Sequence, residues 1–149
     1  MEVTRDQLLA CLSVPRWADD VLAGAPYAGR EALLARADEA ARSLTDEELE
    51  QALAGHPRIG ERATEGHNAT ASAKEQSGVE ASDQERLVAG NRAYEERFGH
   101  VFLIRAAGRS GAEILAELER RLGNDDATER AETVDNLRQI ALLRLEGMV

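Results

Sequence analysis

The sequence predicts an all-α fold, a single compact domain over residues 1–149 holding about seven to eight helices. Three observations carry this. Aromatic residues make up only 3% of the chain, so Leu, Ala, Val and Ile must build the core, and Leu and Ala favour helix. Helix-starting chemistry recurs along the chain. Apolar residues return at helical spacing.

The elements follow in order. Thr4 with Gln7 forms a capping box that opens a helix over 4–12, and Val3 can staple against Leu8. A short helix follows over 15–22, and another over 31–43. Thr45 with Glu48 repeats the box, with Leu44 and Leu49 as staple, and opens 46–54, which Gly55 should stop. Ser82 with Glu85 opens 83–98, where Leu87, Asn91, Tyr94 and Phe98 share a face before Gly99. Ser110 with Glu113 opens 111–122, with Ile114, Leu118 and Leu122 aligned before Gly123. The last helix covers 129–146. In each box the hydroxyl accepts an early backbone N–H, and the Glu or Gln reaches back to the cap.

Two segments depart from this rhythm. Val101-Phe102-Leu103-Ile104 is the only strand-like run; it reads as a buried extended stretch or a short helical turn, and one such run cannot make a sheet. From His56 to Thr70 the chain holds Pro57, Gly60, Gly66 and Asn68 with few apolar residues. A loop of about 15 residues in a compact domain is usually functional or disordered, and it is taken here as the site region.

Charge narrows the function. The net charge is −10 with no Lys/Arg block, which disfavours nucleic acid but leaves room for a small anion held by local arginines. Cys11 is the only cysteine, so no internal disulfide forms, as suits a reducing compartment. No N-terminal apolar run reads as a signal peptide, and no apolar stretch nears the roughly 20 residues that span a bilayer. The expectation is a cytoplasmic protein with no membrane partner.

Candidate residues have more than one reading. His56 leaves the helix end at Gly55 and is fixed by Pro57; it is a proton carrier near neutral pH, or a plain surface or capping residue. Ser72 and Glu75 are a capping box of one helical turn, or with Gln76 a hydrogen-bonding set suited to the alternating N–H and C=O groups of a ureide. Arg144 follows Leu137 and Ile140 on the inner stripe of the last helix; it snorkels, pairs structurally, or grips a carboxylate or planar ureide. Arg138 of the same helix belongs to no motif. His56, His67 and His100 match no metal-ligand spacing, and neither HExxH nor CxxC is present. Gly108-Arg109-Ser110 precedes a helix without forming a P-loop, and Cys11 reads as core.

Taken together, the pieces resemble one family. They are Gly55-His56-Pro57-Arg58-Ile59-Gly60, Ser72-Ala73-Lys74-Glu75-Gln76, Tyr94 through Ile104, Gly108-Arg109-Ser110, Arg121-Leu122-Gly123-Asn124 and Ile140 through Leu145, with Cys11 through Trp17 near the start. Order and spacing resemble the 2-oxo-4-hydroxy-4-carboxy-5-ureidoimidazoline (OHCU) decarboxylases over nearly the whole chain. Ala71 and Asn136 depart from residues common in that family. The resemblance implies an all-helical homodimer that converts OHCU to (S)-allantoin in urate degradation with no cofactor and no metal. It implies His56 as the catalytic histidine with Glu75 as its partner. Pro57, Ser72, Gln76 and Arg144 then hold substrate, and the backbone near Phe102 and Ile104 lines the pocket. Two rivals stand beside it: an acidic helical adaptor that docks partner helices, and a histidine–metal hydrolase.

Overall fold

The computed structural model describes residues 2–54, 56 and 84–149. Among them run seven α-helices and no strand: α1 Arg5–Cys11, α2 Pro15–Ala23, α3 Arg30–Ala41, α4 Asp46–Ala54, α5 Gln84–Phe98, α6 Gly111–Leu122 and α7 Asp126–Glu146. The all-α expectation holds, and most ends fall within one or two residues of those the caps marked. The chain divides into two compact units, Met1–Ala52 with Val134–Val149 and Leu53–Thr133.

In the first unit, α1 starts as expected. Thr4 accepts the Gln7 N–H at 3.1 Å, and Gln7 reaches back to the Thr4 N–H at 2.9 Å. Thr45 and Glu48 do the same at α4. α1 packs on α2 and α2 on α3. Leu8, Leu12, Val14, Trp17, Val21, Leu33, Leu137 and Leu145 are buried in this unit, as are Ala37, Ala40 and Ala41 of α3. Trp17 satisfies its indole N–H on the Ala37 carbonyl at 2.9 Å, which lets a large aromatic sit fully inside.

Arginine ties the rest of this unit together. Arg16 donates Nε to Glu48 at 2.9 Å and Nη2 to the other Glu48 oxygen at 3.0 Å, while Nη1 reaches Asp20 at 2.8 Å and the Ala40 carbonyl at 3.2 Å. One guanidinium thus joins α2, the end of α3 and α4, and it holds the Glu48 carboxyl below the usual carboxylate range. Arg138 links α7 to Asp38 of α3 at 2.8 Å, and Arg30 caps the Glu146 carbonyl at 3.0 Å.

The second unit packs α5 against α6 and folds the segment 101–106 beside them. Leu87, Tyr94, Phe102, Ile104, Ala106, Ile114, Leu115 and Leu118 form one buried cluster, flanked by Phe98 and Leu122. The stripes read from the sequence are the ones that meet here. Gly90 permits the approach of the two helices, since a Cβ there would stand 2.5 Å from Leu118 Cδ2. Gly99 ends α5 at φ +80, which a side chain would strain. The run 101–104 is neither helix nor strand, and Phe102, Leu103 and Ile104 are buried.

Two helix starts differ in detail from expectation. At α6 the Ser110 hydroxyl accepts the Glu113 N–H at 3.1 Å, but the Glu113 carboxylate takes that hydroxyl in return at 3.3 Å rather than a backbone N–H. α7 begins at Asp126 and not at Glu129, because Asp125 caps it by accepting the Thr128 N–H at 2.7 Å. Glu129 therefore lies one turn inside the helix, where its side chain is fully buried. The box proposed for Ser82 and Glu85, the stop at Gly55, and the loop from Pro57 to Thr70 lie outside the described residues.

Candidate active site

His56 stands two residues past the end of α4. Its N–H donates to the Leu53 carbonyl at 3.0 Å, closing a tight turn, and its side chain is half-buried. The imidazole is thus neither lost in solvent nor sealed in the core. Pro57, Ser72, Glu75, Gln76 and His67 lie outside the described residues.

Phe102 and Ile104 belong to the same unit as His56. Their side chains are committed to the core. The Phe102 ring has the Arg121 guanidinium 4.6 Å from its centroid and meets Tyr94 edge-on at 5.2 Å. At the head of the segment His100 hydrogen-bonds the Val101 carbonyl through Nδ1 at 3.0 Å, so Nδ1 carries the proton, and its ring lies edge-on to Tyr94.

Arg144 belongs to the first unit. It is half-buried, in line with the buried Leu137, Ile140, Ala141 and Leu145. Burial pushes the Cys11 thiol up to about 11, and the Arg144 charge pulls it partly back. Cys11 itself contacts Met148 Sδ at 3.7 Å and is a core residue.

The feature missed in the sequence is a buried polar network beneath the 101–106 segment. Arg121 and Glu129 are each 1% exposed. Arg121 Nε lies 3.1 and 3.0 Å from the two Glu129 oxygens, Nη2 bonds Glu129 and the Thr133 hydroxyl, and Nη1 donates to the Leu103 carbonyl at 2.7 Å. Tyr94 donates its hydroxyl to Glu129, and Asn124 Nδ2 reaches the same carboxylate at 3.1 Å. Burial first, and then this carboxylate, push the Tyr94 hydroxyl well above its ordinary value, so it remains a donor. The clue was available: Arg121 follows Ile114 and Leu118 at helical spacing, the same test that singled out Arg144.

Among the described residues, no three His, Cys, Asp or Glu side chains gather as a metal site needs, and no helix is long and apolar enough to cross a membrane.

The fold and these elements define an all-helical protein whose half-buried histidine follows a helix end in the unit that also clamps an irregular segment from below. The sequence signature of OHCU decarboxylase matches residues 2–146, and the chain belongs to that family. It is 33% identical over 135 residues to the 2-oxo-4-hydroxy-4-carboxy-5-ureidoimidazoline decarboxylase of Amia calva, covering 87% of this chain and 77% of that one. The enzyme of the same name from Haloferax volcanii is 30% identical over 122 residues, 80% of this chain and 73% of that one. The fold of the present chain matches a crystal structure of OHCU decarboxylase in the presence of (S)-allantoin with a TM-score of 0.80, covering 96% of each chain at 23% identity.

Proposed function

We propose that this protein decarboxylates OHCU to (S)-allantoin in urate degradation, as a carboxy-lyase that works without metal or organic cofactor. The observation that carries the reading is family membership across residues 2–146, which contain every motif residue named above.

The chemistry suits such a site. The bond from the hydroxyl-bearing carbon to its carboxylate breaks, and CO2 leaves. The electron pair forms a C=C bond, while the adjacent ring C=N passes its π pair to nitrogen, which takes a proton. The substrate is thus its own electron sink. The resulting enol gives up its hydroxyl proton as the neighbouring carbon is protonated on one face, which sets the S configuration. What the protein supplies is orientation, stabilisation of developing charge and a directed proton.

In this reading His56 handles the hydroxyl proton with Glu75 as its partner. Ser72, Gln76 and Pro57 hold the ureide, the backbone at Phe102 and Ile104 lines the pocket, and Arg144 takes the carboxylate or ureide with its planar fork. The half-buried setting of His56 supports its part, since a proton carrier needs both substrate access and partial shelter. The working protein is a single-domain homodimer in the cytoplasm.

The test is to generate OHCU fresh from urate with urate oxidase and hydroxyisourate hydrolase, add the protein, and follow (S)-allantoin. Formation faster than spontaneous decay, unchanged after exhaustive chelation, is expected. Activity lost to EDTA and restored by Zn2+ would favour the hydrolase rival. No acceleration at all would leave the adaptor.

A further inference from the structure

We propose that Arg121 and Glu129 are positioning residues for the reaction, a buried pair that aims the Ile104 N–H at the bound substrate. This rests on the decarboxylase reading and extends it to side chains that touch no substrate.

The argument starts from the peptide unit. Leu103 C=O and Ile104 N–H belong to one planar group, which is trans, so the two bonds point in opposite directions. Arg121 Nη1 takes the Leu103 oxygen at 2.7 Å, which turns the Ile104 N–H away from the guanidinium, to the far side of the segment. That N–H makes no hydrogen bond to any described residue. A sheltered backbone donor with no partner among the described residues is uncommon, and it is the group that a carbonyl or carboxylate of a small ureide would complete.

The aim is rigid because the guanidinium is held on several sides. Nε and Nη2 are fixed by Glu129, Nη2 also meets Thr133, and the flat face lies over Phe102. Glu129 is fixed in turn by Tyr94 and Asn124. Phe102 and Leu103 are thereby gripped through ring and carbonyl by one side chain. Stability alone gives little reason for the arrangement, since buried ion pairs are commonly replaced by apolar groups without loss. A planar fork that can hold a carboxylate and a carbonyl at once does explain why an arginine is present.

Arg121→Lys is the decisive variant. Lysine keeps a charge for Glu129 but cannot also hold the Leu103 carbonyl and lie flat on Phe102. With folding verified by circular dichroism well below the melting temperature, KM for fresh OHCU should rise about tenfold while kcat falls less than about threefold, the pattern of a lost contact made alike in ground and transition states. A purely structural role predicts a lower melting temperature with both constants unchanged, and that result overturns the proposal. Should Arg121→Lys fail to fold, the wild-type protein decides. Its Ile104 amide resonance should move on saturation with (S)-allantoin, and an unmoved resonance overturns the proposal. A wild type that does not turn over OHCU refutes the decarboxylase reading itself; an active wild type with an unaltered Arg121→Lys refutes only the positioning role.

Discussion

Each unit holds an arginine that binds a glutamate and a main-chain carbonyl together, and the two arginines work in different media. Arg16 in the first unit is 34% exposed and faces Asp20 at 39% and Glu48 at 16%. Arg121 in the second and its partner Glu129 are 1% exposed. Both nodes have similar parts, a fork on a glutamate plus a main-chain carbonyl. Water screens the first and is excluded from the second. A screened node joins helices and can be lost at modest cost. A sealed node has already given up hydration, so removing one partner strands the other. The difference separates an arginine that ties helices from one that fixes a single peptide plane.

The largest effect should come from breaking the sealed node on one side. Arg121→Met should lose about 3–5 kcal/mol in urea unfolding, because Glu129 is left buried without its cation. Arg121→Met with Glu129→Leu should recover much of that loss. A double variant no better than the single would show that the burden lies in the remaining polar groups and not in the stranded charge.

The matching change in the first unit should be smaller. Arg16→Met should lose about 1 kcal/mol, a fall in melting temperature of about 2–4 °C for a chain of this size. It should also depend on salt: at about 1 M the wild type and Arg16→Met should converge, since the Debye length is then about 3 Å. Arg121→Met should keep its deficit at that salt. Equal sensitivity of the two variants would erase the contrast.

The smallest effect is on pH. Arg16 depresses the Glu48 carboxyl below its ordinary value. A group depressed in the folded state contributes stability that is present above its unfolded pKa and is lost as pH falls through the folded one. The wild-type melting temperature should therefore fall on acidification below about pH 5, and Glu48→Gln should fall less steeply over the same window. Parallel curves would mean that Glu48 gains nothing from its partner.

Much of the helical frame was legible because caps are local. Thr4 and Gln7, or Thr45 and Glu48, lie three residues apart and announce a helix start whatever surrounds them. Asp125 escaped notice because the residue three beyond it is Thr128, not Glu or Gln, so no reciprocal box marks it; the start of α7 was then placed a turn late and Glu129 was read as a terminus. Long-range partners were out of reach. Arg138 belongs to no motif, yet it is bound to Asp38, a hundred positions away. Arg121 was legible in principle, since it continues the Ile114 and Leu118 stripe, but its meaning lies in the Leu103 carbonyl, which no periodicity can indicate. Near the candidate site, the burial of Phe102 and Ile104 in an irregular stretch was readable from the one strand-like run. Glu75, Ser72 and Gln76 rest on motif alone.

The central claim is that His56 moves the proton that completes decarboxylation. Its most direct test is the rate of (S)-allantoin formation from fresh OHCU by the wild type and by His56→Asn, side by side, with equal helical spectra. Asparagine keeps size and some hydrogen bonding but carries no proton near neutral pH. The account predicts that kcat falls by about 10²-fold or more, the scale usual for a general acid–base group. A folded His56→Asn that makes (S)-allantoin at close to the wild-type rate would contradict it.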